Sequence, residues 1–256
     1  EEGEGTLVAA LGQDVPVSLA TTLEEIEVLG ANGVLLLTSR GEIRARAAIL
    51  TVSTNLLRAE RIRFRPGLPV GLLSALEVLP TGVANKVAFR FSENVFDMDA
   101  TSHLVFQDER QPERSALSVQ IRPFGEEIAI AYFGGDEAER LERAGAGTMT
   151  AVAREVLTEI FGAKIWAKCL GEAETAWASD PHTLGAYAYR RPGHAGDPRA
   201  ILREPIAERV LLAGEACHPH WFSTVHGAWE SGREAVETAA RLIGGPEASR
   251  VDHPAA

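Results

Sequence analysis

A strand, a polar loop and a long helix follow one another over residues 209–245, and this order limits the possible folds more than any other stretch. Residues 210–213 form a short apolar run that is typical of a buried strand, and Gly214 breaks the run. Apolar residues then recur at helical spacing over residues 225–243. A strand that leads through a loop to a helix N-terminus predicts a ligand site, because free N–H groups and the helix dipole hold anionic or electron-rich atoms there.

The two ends of this helix are marked in the sequence as well. Ser223 or Thr224 is the predicted N-cap, because a hydroxyl oxygen accepts a hydrogen bond from the first turn of a helix. Gly244, Gly245 and Pro246 predict the stop. The small and polar residues over 246–256 predict a flexible tail.

Composition limits the class of protein. With 256 residues, 45% of them hydrophobic, the chain can bury a substantial core in one or two domains. A formal net charge of -11 without a Lys/Arg cluster argues against nucleic-acid binding and favours cationic partners. Neither a membrane-spanning run nor a signal peptide is present, so we predict a soluble protein, cytoplasmic rather than periplasmic. Cys169, Cys217 and the histidines lack the spacing of metal ligands, so no metal is predicted.

The closing stretch contains a long ordered pattern: Ala213-Gly214-Glu215-Ala216, His218, Ser223-Thr224-Val225-His226-Gly227-Ala228, Ser231-Gly232 and Arg233-Glu234-Ala235. This pattern resembles the end of flavin-containing amine oxidases, the family of polyamine and monoamine oxidases, and is nearest to the polyamine oxidase branch. The resemblance implies FAD as the cofactor. It places Gly214 and Glu215 beside the ribityl chain and the pyrophosphate, and Ser223, Thr224 and Val225 beneath the flavin ring.

Lys86 is the first candidate catalytic residue. It lies in the stretch Thr81-Gly82-Val83-Ala84-Asn85-Lys86-Val87, which is similar to the family segment whose lysine holds a water against flavin N5. A fixed cation there stabilises the negative charge that develops when oxygen reoxidises the flavin. A solvated surface role is the alternative for a single lysine.

Tyr187 is the second candidate. Trp177-Ala178-Ser179-Asp180-Pro181 and Gly185-Ala186-Tyr187 resemble the family segment whose tyrosine forms one wall of the amine site. An aromatic face attracts an amine nitrogen through its quadrupole. Thr224 occupies the position of a second aromatic in some relatives, so it is a candidate substrate contact and the aromatic cage is half built. Trp177 is a candidate substrate contact too, although packing is the favoured alternative.

The N-terminal stretch predicts a helix over residues 6–11 and a strand over residues 15–19. A strand-rich stretch follows, in which residues 25–45 predict a three-stranded meander that returns to a core strand over residues 48–52. In the family, the residue that matches Leu23 contacts the adenine through its backbone. A plain core position is an equally good interpretation of Leu23.

The dinucleotide-binding fingerprint GxGxxG, between a strand and a helix, is absent from this sequence. Measured against the family, the chain therefore lacks one N-terminal domain. We expect a companion polypeptide that carries this half, either as a separate gene product or as the other part of a cleaved precursor.

The predicted fold is therefore α+β and α/β, the C-terminal half of a two-domain FAD-dependent amine oxidase. Residues 1–55 are predicted to belong to the FAD-binding domain, 56–205 to a mixed-sheet substrate domain, and 206–245 again to the FAD-binding domain. The predicted function is oxidative deamination of a small amine, with hydride transfer to flavin N5 and oxygen as the electron acceptor.

Two alternatives remain open. The first is a subunit of an L-amino-acid oxidase, which needs an arginine for the α-carboxylate; Arg90, Arg122 and Arg190 are the candidates. The second is a noncatalytic interaction module that keeps the fold without the cofactor. The missing fingerprint is the only argument for the module.

Overall fold

The structure, a computed structural model, describes residues 3–107 and 116–244, so the predicted tail over 246–256 lies outside the described residues. Its strands are β1 (Leu23–Val28), β2 (Val34–Thr38), β3 (Gly41–Ala45), β4 (Ala48–Leu50), β5 (Arg63–Arg65), β6 (Ala84–Phe91), β7 (Ser102–Phe106), β8 (Leu117–Ile121), β9 (Ile128–Gly134), β10 (Cys169–Glu174) and β11 (Val210–Leu212). Its α-helices are α1 (Glu4–Leu11), α2 (Thr54–Arg58), α3 (Val70–Val78), α4 (Gly135–Ala144), α5 (Thr148–Phe161), α6 (Pro198–Arg203) and α7 (Val225–Gly244). Short 3-10 turns cover Gly30–Asn32, Pro123–Gly125, Ala163–Lys168 and Glu215–Cys217.

The largest sheet has five strands in the order β10-β6-β9-β8-β7. Along β6, Val87, Phe89 and Phe91 are buried, whereas Lys86 and Arg90 are exposed, because successive side chains of a strand point to opposite faces. The buried face packs against α4 and α5 and forms the first core. Each large apolar side chain fully buried there contributes roughly 1.5–3 kcal/mol.

A second core lies under the four-stranded sheet, whose order is β3-β2-β1-β5. The predicted meander is present as β1, β2 and β3, which pair antiparallel in sequence. Strand β5 adds to β1 in parallel, a pairing that periodicity does not reveal. Helices α3 and α6 pack on each other and bring Leu76 and Leu202 into this core.

The third sheet contains only β4 and β11, which pair in parallel. Leu211 of this sheet and Ala213, which follows β11, pack with Ala235 and Ala239 of α7, and Ile49 is partly buried against them. A two-stranded sheet is marginal on its own, and parallel sheets are normally covered on both faces. The predicted succession of strand, loop and helix is present as β11, the loop after it and α7. The hydrophobic core between β11 and α7 is small.

The predicted strand over residues 15–19 is wrong. These residues have no regular secondary structure, and their side chains are exposed. The apolar alternation of Val15, Val17 and Leu19 has no neighbouring strand to bond with among the described residues, and a strand needs such a partner. The predicted helix before it is present as α1, although none of its residues is buried.

The predicted domain boundaries at 55/56 and 205/206 stay predictions. The second core takes residues from both sides of each boundary, since Leu50 and Val210 pack in it together with Leu76 and Leu202. The first core, by contrast, takes its buried residues only from the stretch between Val87 and Ile165.

Candidate functional site

The N-terminus of α7 is the first part of the candidate site. Thr224 is the N-cap, because its Oγ1 accepts the N–H of Gly227 at 3.1 Å and its carbonyl accepts the N–H of Ala228 at 3.1 Å. Within the described part of the chain, the N–H groups of Val225 and His226 have no acceptor. Free N–H groups at the positive end of a 20-residue helix fit an electron-rich edge of a ligand.

Glu215 connects two other segments to this turn. One of its carboxylate oxygens accepts the N–H of Ala188 at 2.7 Å, and the other accepts the N–H of Ser223 at 2.7 Å. The Ser223 hydroxyl also donates to the carbonyl of Ala188 at 2.7 Å. Glu215 therefore acts first as a tie between the Tyr187 segment and the turn before α7. Each oxygen keeps a second lone pair that can still accept a hydrogen bond from a ligand.

Gly214 makes the sharp turn out of β11. Its φ is +136°, a region that side chains rarely adopt, and a Cβ there meets no atom within 4 Å. Its N–H donates to the Ser231 hydroxyl of α7 at 3.2 Å. Glycine is therefore favoured here because it permits this backbone conformation. It also leaves open space beside Glu215, the predicted cofactor contact.

Tyr187 lies on a segment that pairs with the residues before β6. The Tyr187 carbonyl accepts the N–H of Gly82 at 2.8 Å, and Ala186 donates its N–H to the Gly82 carbonyl at 2.9 Å. The contact is close because Gly185, at φ +144°, has no Cβ; one built there would lie 2.2 Å from Thr81 Oγ1. The Tyr187 side chain is 48% exposed, so its ring is accessible to a ligand.

Lys86 projects from the exposed face of β6. Its Nζ lies 5.4 Å from the centre of the Tyr132 ring on the paired strand β9, a cation–π distance. Within residues 3–107 and 116–244 its Nζ forms no ion pair. Its backbone is fixed by Thr175, whose Oγ1 accepts the Lys86 N–H at 2.9 Å and whose N–H donates to the Lys86 carbonyl at 3.0 Å.

A network of buried and partly buried polar side chains forms hydrogen bonds with the loop that carries Trp177. Asn85 is only 1% exposed, and its Oδ1 accepts the N–H of Trp177 at 3.1 Å and the Thr175 hydroxyl at 3.1 Å. Its Nδ2 donates to Glu142 of α4 at 2.7 Å. The Glu142 carboxylate also accepts the N–H and the hydroxyl of Ser179, both at 2.6 Å.

Hydrogen bonding outweighs burial at Glu142. Burial alone would raise the pKa of this carboxyl, but donors from Ser179 and Asn85 stabilise the charged form, and the net effect lowers the pKa below its ordinary value of 4.5.

Trp177 itself is 41% exposed. Its predicted roles in substrate contact or packing therefore both stay open.

Arg199 and Cys217 are buried side chains close to the segment that leads from β11 to α7. Arg199 is 4% exposed; its Nη1 donates to the Ala216 carbonyl at 2.7 Å, and its guanidinium stacks 4.2 Å from the centre of the Phe222 ring. Burial lowers the pKa of Arg199. Burial and the nearby Glu215 charge raise the pKa of the Cys217 thiol to about 12, so this thiol stays protonated.

The structure brings together the segments around Lys86, Tyr187, Glu215 and Thr224 through the backbone bonds described above. It does not bring Leu23 to them: Leu23 lies on β1 and packs at the edge of the second core. Its predicted adenine contact stays a prediction.

Sequence reasoning missed Asn85, Glu142 and Arg199 as supports of the site. All three act on backbone groups far away in sequence, as Glu142 does on Ser179. Hydrophobic periodicity carries no signal for such contacts.

No group of three or more His, Cys, Asp or Glu residues has metal-binding geometry within the described ranges. Among those residues there is also no helix whose length and apolar character suit a membrane crossing.

Comparison with known proteins identifies the family. The family model described as flavin containing amine oxidoreductase matches residues 1–240. The chain belongs to this family. The resemblance predicted from the closing motif is thereby confirmed, and so is FAD as the cofactor.

Curated relatives in this family include plant proteins. Lysine-specific histone demethylase 1 homolog 1 of Oryza sativa subsp. japonica is 30% identical over 259 aligned residues, covering 98% of this chain and 30% of the relative. Protein FLOWERING LOCUS D of Arabidopsis thaliana is 30% identical over 244 residues, covering 93% of this chain and 31% of the relative. The chain thus spans about a third of the length of these relatives.

Two solved structures of amine oxidases share the fold. Cyclohexylamine oxidase from Brevibacterium oxydans aligns with a TM-score of 0.64 at 22% identity, covering 86% of this chain and 48% of that one. A redesigned putrescine oxidase aligns with a TM-score of 0.71 at 20% identity, covering 93% and 52%. The mixed α/β fold of part of an amine oxidase is thereby confirmed.

The residues present fit a flavin. The turn before α7 offers the free N–H groups of Val225 and His226, and Gly214 leaves room where a side chain would otherwise stand. These are donors for an electron-rich ring edge at the positive end of a helix. The 214–226 segment therefore offers donors and open space that suit the flavin ring, and its contacts with FAD stay a prediction.

Proposed function

We propose that this chain carries the amine site and the flavin-facing turn of a FAD-dependent amine oxidase. The reaction is oxidation of a C–N bond of an amine to an imine, which water hydrolyses to a carbonyl compound and the released amine or ammonia. Oxygen takes up the two electrons and two protons as hydrogen peroxide. The observation that supports the proposal is the Glu215 carboxylate, which ties Ala188, next to Tyr187, to Ser223, next to the N-cap of α7.

Each candidate residue has a role that follows from its position. FAD supplies the two-electron chemistry when it is bound. The N–H groups of Val225 and His226 favour the electron-rich edge of the ring, and the exposed Tyr187 ring offers a face to the amine nitrogen. The Lys86 ammonium holds a water and stabilises negative charge on reduced oxygen.

The half that carries the GxGxxG fingerprint is proposed to cover an apolar stripe on α7, whether it comes from the same polypeptide or another. Val225, Trp229 and Val236 recur at helical spacing on one face and are 55%, 57% and 59% exposed. The same helix packs on the two-stranded sheet through Ala235 and Ala239, and a sheet of two strands has little stability of its own. An exposed apolar stripe beside an incomplete parallel sheet is the pattern expected of a surface that another unit covers.

A peptide-borne methylated lysine is the second candidate substrate. The plant relatives named as lysine-specific histone demethylases favour it. A methylated lysine and a polyamine are both cationic, which agrees with the net charge of -11. Assays of hydrogen peroxide and of formaldehyde with polyamines, monoamines and a methyl-lysine peptide separate the two, since demethylation of the peptide releases formaldehyde together with hydrogen peroxide.

An L-amino-acid substrate has less support. Of its candidate arginines, Arg122 donates to the Met98 carbonyl at 2.7 Å and to Glu127 at 2.8 Å. Arg190 donates to the carbonyls of His194 and Gly196. Both guanidinium groups are therefore engaged within the chain, whereas Arg90 is exposed on β6 and is the arginine to test for this substrate. The noncatalytic module, the other alternative, predicts no bound flavin in the assembled protein.

The first test of the proposal is Lys86→Met in the flavin-loaded protein. We expect reoxidation of reduced flavin by oxygen to slow at least tenfold, about 1.4 kcal/mol of barrier. Anaerobic reduction by the amine should change less, because the lysine acts on oxygen. Lys168→Met, which removes an exposed ion pair with Glu93, is the control and should leave both half-reactions unchanged. An unchanged oxidative half-reaction in Lys86→Met would remove this role.

The second test concerns the Tyr187 ring. Tyr187→Phe keeps the aromatic face and should retain most of kcat/KM, whereas Tyr187→Ala should lose it about tenfold or more. Equal losses in the two variants would assign the role to the hydroxyl instead of the face.

A further inference from the structure

His218 is a buried histidine whose two ring nitrogens are both engaged. It is 6% exposed, and its Nε2 lies 2.9 Å from the Glu230 carboxylate of α7. Its Nδ1 accepts the N–H of Trp221 at 2.8 Å and lies 3.3 Å from the N–H of His220. Since Nδ1 accepts from backbone donors, the proton of the neutral ring is on Nε2, where it donates to Glu230.

The amide that His218 holds belongs to the turn that begins α7. The carbonyl of Trp221 accepts the Thr224 hydroxyl at 2.6 Å, and that hydroxyl caps the helix. The same carbonyl lies against Gly227, where a Cβ would be 1.8 Å from the oxygen. The position of Trp221 therefore determines where the N-cap sits, and with it the direction of the free N–H groups that follow.

We propose that His218 is a positioning residue for the flavin, with Glu230 fixing its tautomer. Nδ1 anchors the Trp221 amide, the Trp221 carbonyl anchors the Thr224 cap, and the cap orients the N–H groups of Val225 and His226 toward the flavin ring. This role rests on the proposed function. It differs from general packing because it depends on one acceptor atom at one position.

The first arm of the experiment measures the turn without flavin. Nitrogen-15 NMR of the full chain should show the neutral ring of His218 protonated on Nε2, and the Trp221 amide should be protected from hydrogen exchange. In His218→Leu that protection should fall at least tenfold. In His218→Asn, whose Oδ1 occupies the place of Nδ1, it should return to within threefold of wild type. His103→Leu, which changes an exposed histidine of β7, is the control and should leave the amide unaffected. A proton on Nδ1, or equal exchange in His218→Leu and wild type, overturns the proposal.

The second arm measures the cofactor in the protein assembled with its dinucleotide-binding half and loaded with FAD. His218→Leu should weaken binding of reduced flavin about tenfold more than binding of oxidised flavin. This ratio lowers the two-electron midpoint potential by about 30 mV. His218→Asn should restore most of the midpoint potential that His218→Leu loses. Equal midpoint potentials in His218→Leu and wild type would show that His218 does not position the turn for the flavin. A wild-type assembly without flavin would instead overturn the proposed function, and the exchange measurement would still decide whether His218 positions the turn.

Discussion

The five-stranded sheet and the two-stranded sheet of this chain are completed to different degrees. The first packs against α4 and α5 and encloses fully buried side chains such as Phe89, Ile121 and Leu157. The second packs against α7 through Leu211 and alanines, and leaves Trp229 and Val236 exposed on the same helix. One region is therefore packed by contacts within the chain, whereas the region around α7 leaves apolar side chains exposed, and we propose that another unit covers them.

The largest expected effect is in the closed core. Phe89→Ala should lower the free energy of unfolding by about 3–5 kcal/mol, because Phe89 is 0% exposed and packs edge-on against Trp166 at 5.1 Å. Leu211→Ala should cost about 2 kcal/mol, the low end of the range for such changes, because its neighbours are small. Urea unfolding followed by fluorescence and circular dichroism measures both. Equal losses would contradict the contrast between the two regions.

Two glycines of α7 sharpen the contrast within one helix. Gly227→Ala should destabilise the chain by about 1–3 kcal/mol, since the new Cβ would meet the Trp221 carbonyl oxygen at 1.8 Å. Gly232→Ala should stabilise it by up to about 1 kcal/mol, because a Cβ there meets nothing within 4 Å and alanine favours the helix. Thermal unfolding of the two variants checks the opposite signs. A stable Gly227→Ala would show that the turn before α7 is not fixed as described.

Much of the fold was predictable because hydrophobic periodicity distinguishes helices from strands. The strand meander over residues 25–45 and the helical spacing over residues 225–243 correspond to elements of the structure. The strand predicted over residues 15–19 failed because pairing depends on a partner strand, which local alternation does not reveal.

The candidate site was predictable only where a motif marked it. Glu215 and Thr224 came from the closing motif, and Thr224 is indeed the N-cap. The support from Glu142 was not predictable, because it acts on Ser179, 37 residues away in sequence, and its sequence pattern does not differ from that of a solvated residue. His218 acts on the nearby Trp221 amide, but the local sequence does not show that the loop turns back on the ring.

Glu142 tests whether the Trp177 loop depends on charge. Its folded pKa lies below the ordinary value of 4.5, so it adds stability that is present above the unfolded pKa and is lost as pH falls through the folded pKa. Glu142→Gln should lower the free energy of unfolding at pH 7 by about 1–3 kcal/mol, because donors from Asn85 and Ser179 lose a charged acceptor. Unfolding measured from pH 7 to pH 3 should then show a smaller loss in the variant. If the free energy of unfolding depends on pH equally in the two proteins, the Glu142 carboxylate is not the source of this stabilisation.

The smallest expected effect in the chain alone is at the exposed stripe of α7. Trp229→Ser should change the free energy of unfolding by no more than about 0.5 kcal/mol, since the side chain is 57% exposed. In the assembly with the dinucleotide-binding half, the same change should weaken association at least tenfold, because a buried aromatic anchor is lost. Titration of the two parts measures the association. Undiminished association would remove the stripe from the proposed contact.

We propose that this chain supplies the flavin-facing turn but does not hold FAD without the half that carries the Gly-rich fingerprint. The most direct measurement is the flavin content of residues 1–256 purified alone and purified together with that half, read from the absorption of the bound flavin. We expect no stoichiometric FAD in the isolated chain and one FAD per assembled pair, since the pyrophosphate requires a Gly-rich turn that this sequence lacks. A soluble monomer of residues 1–256 that binds FAD one to one would contradict the account.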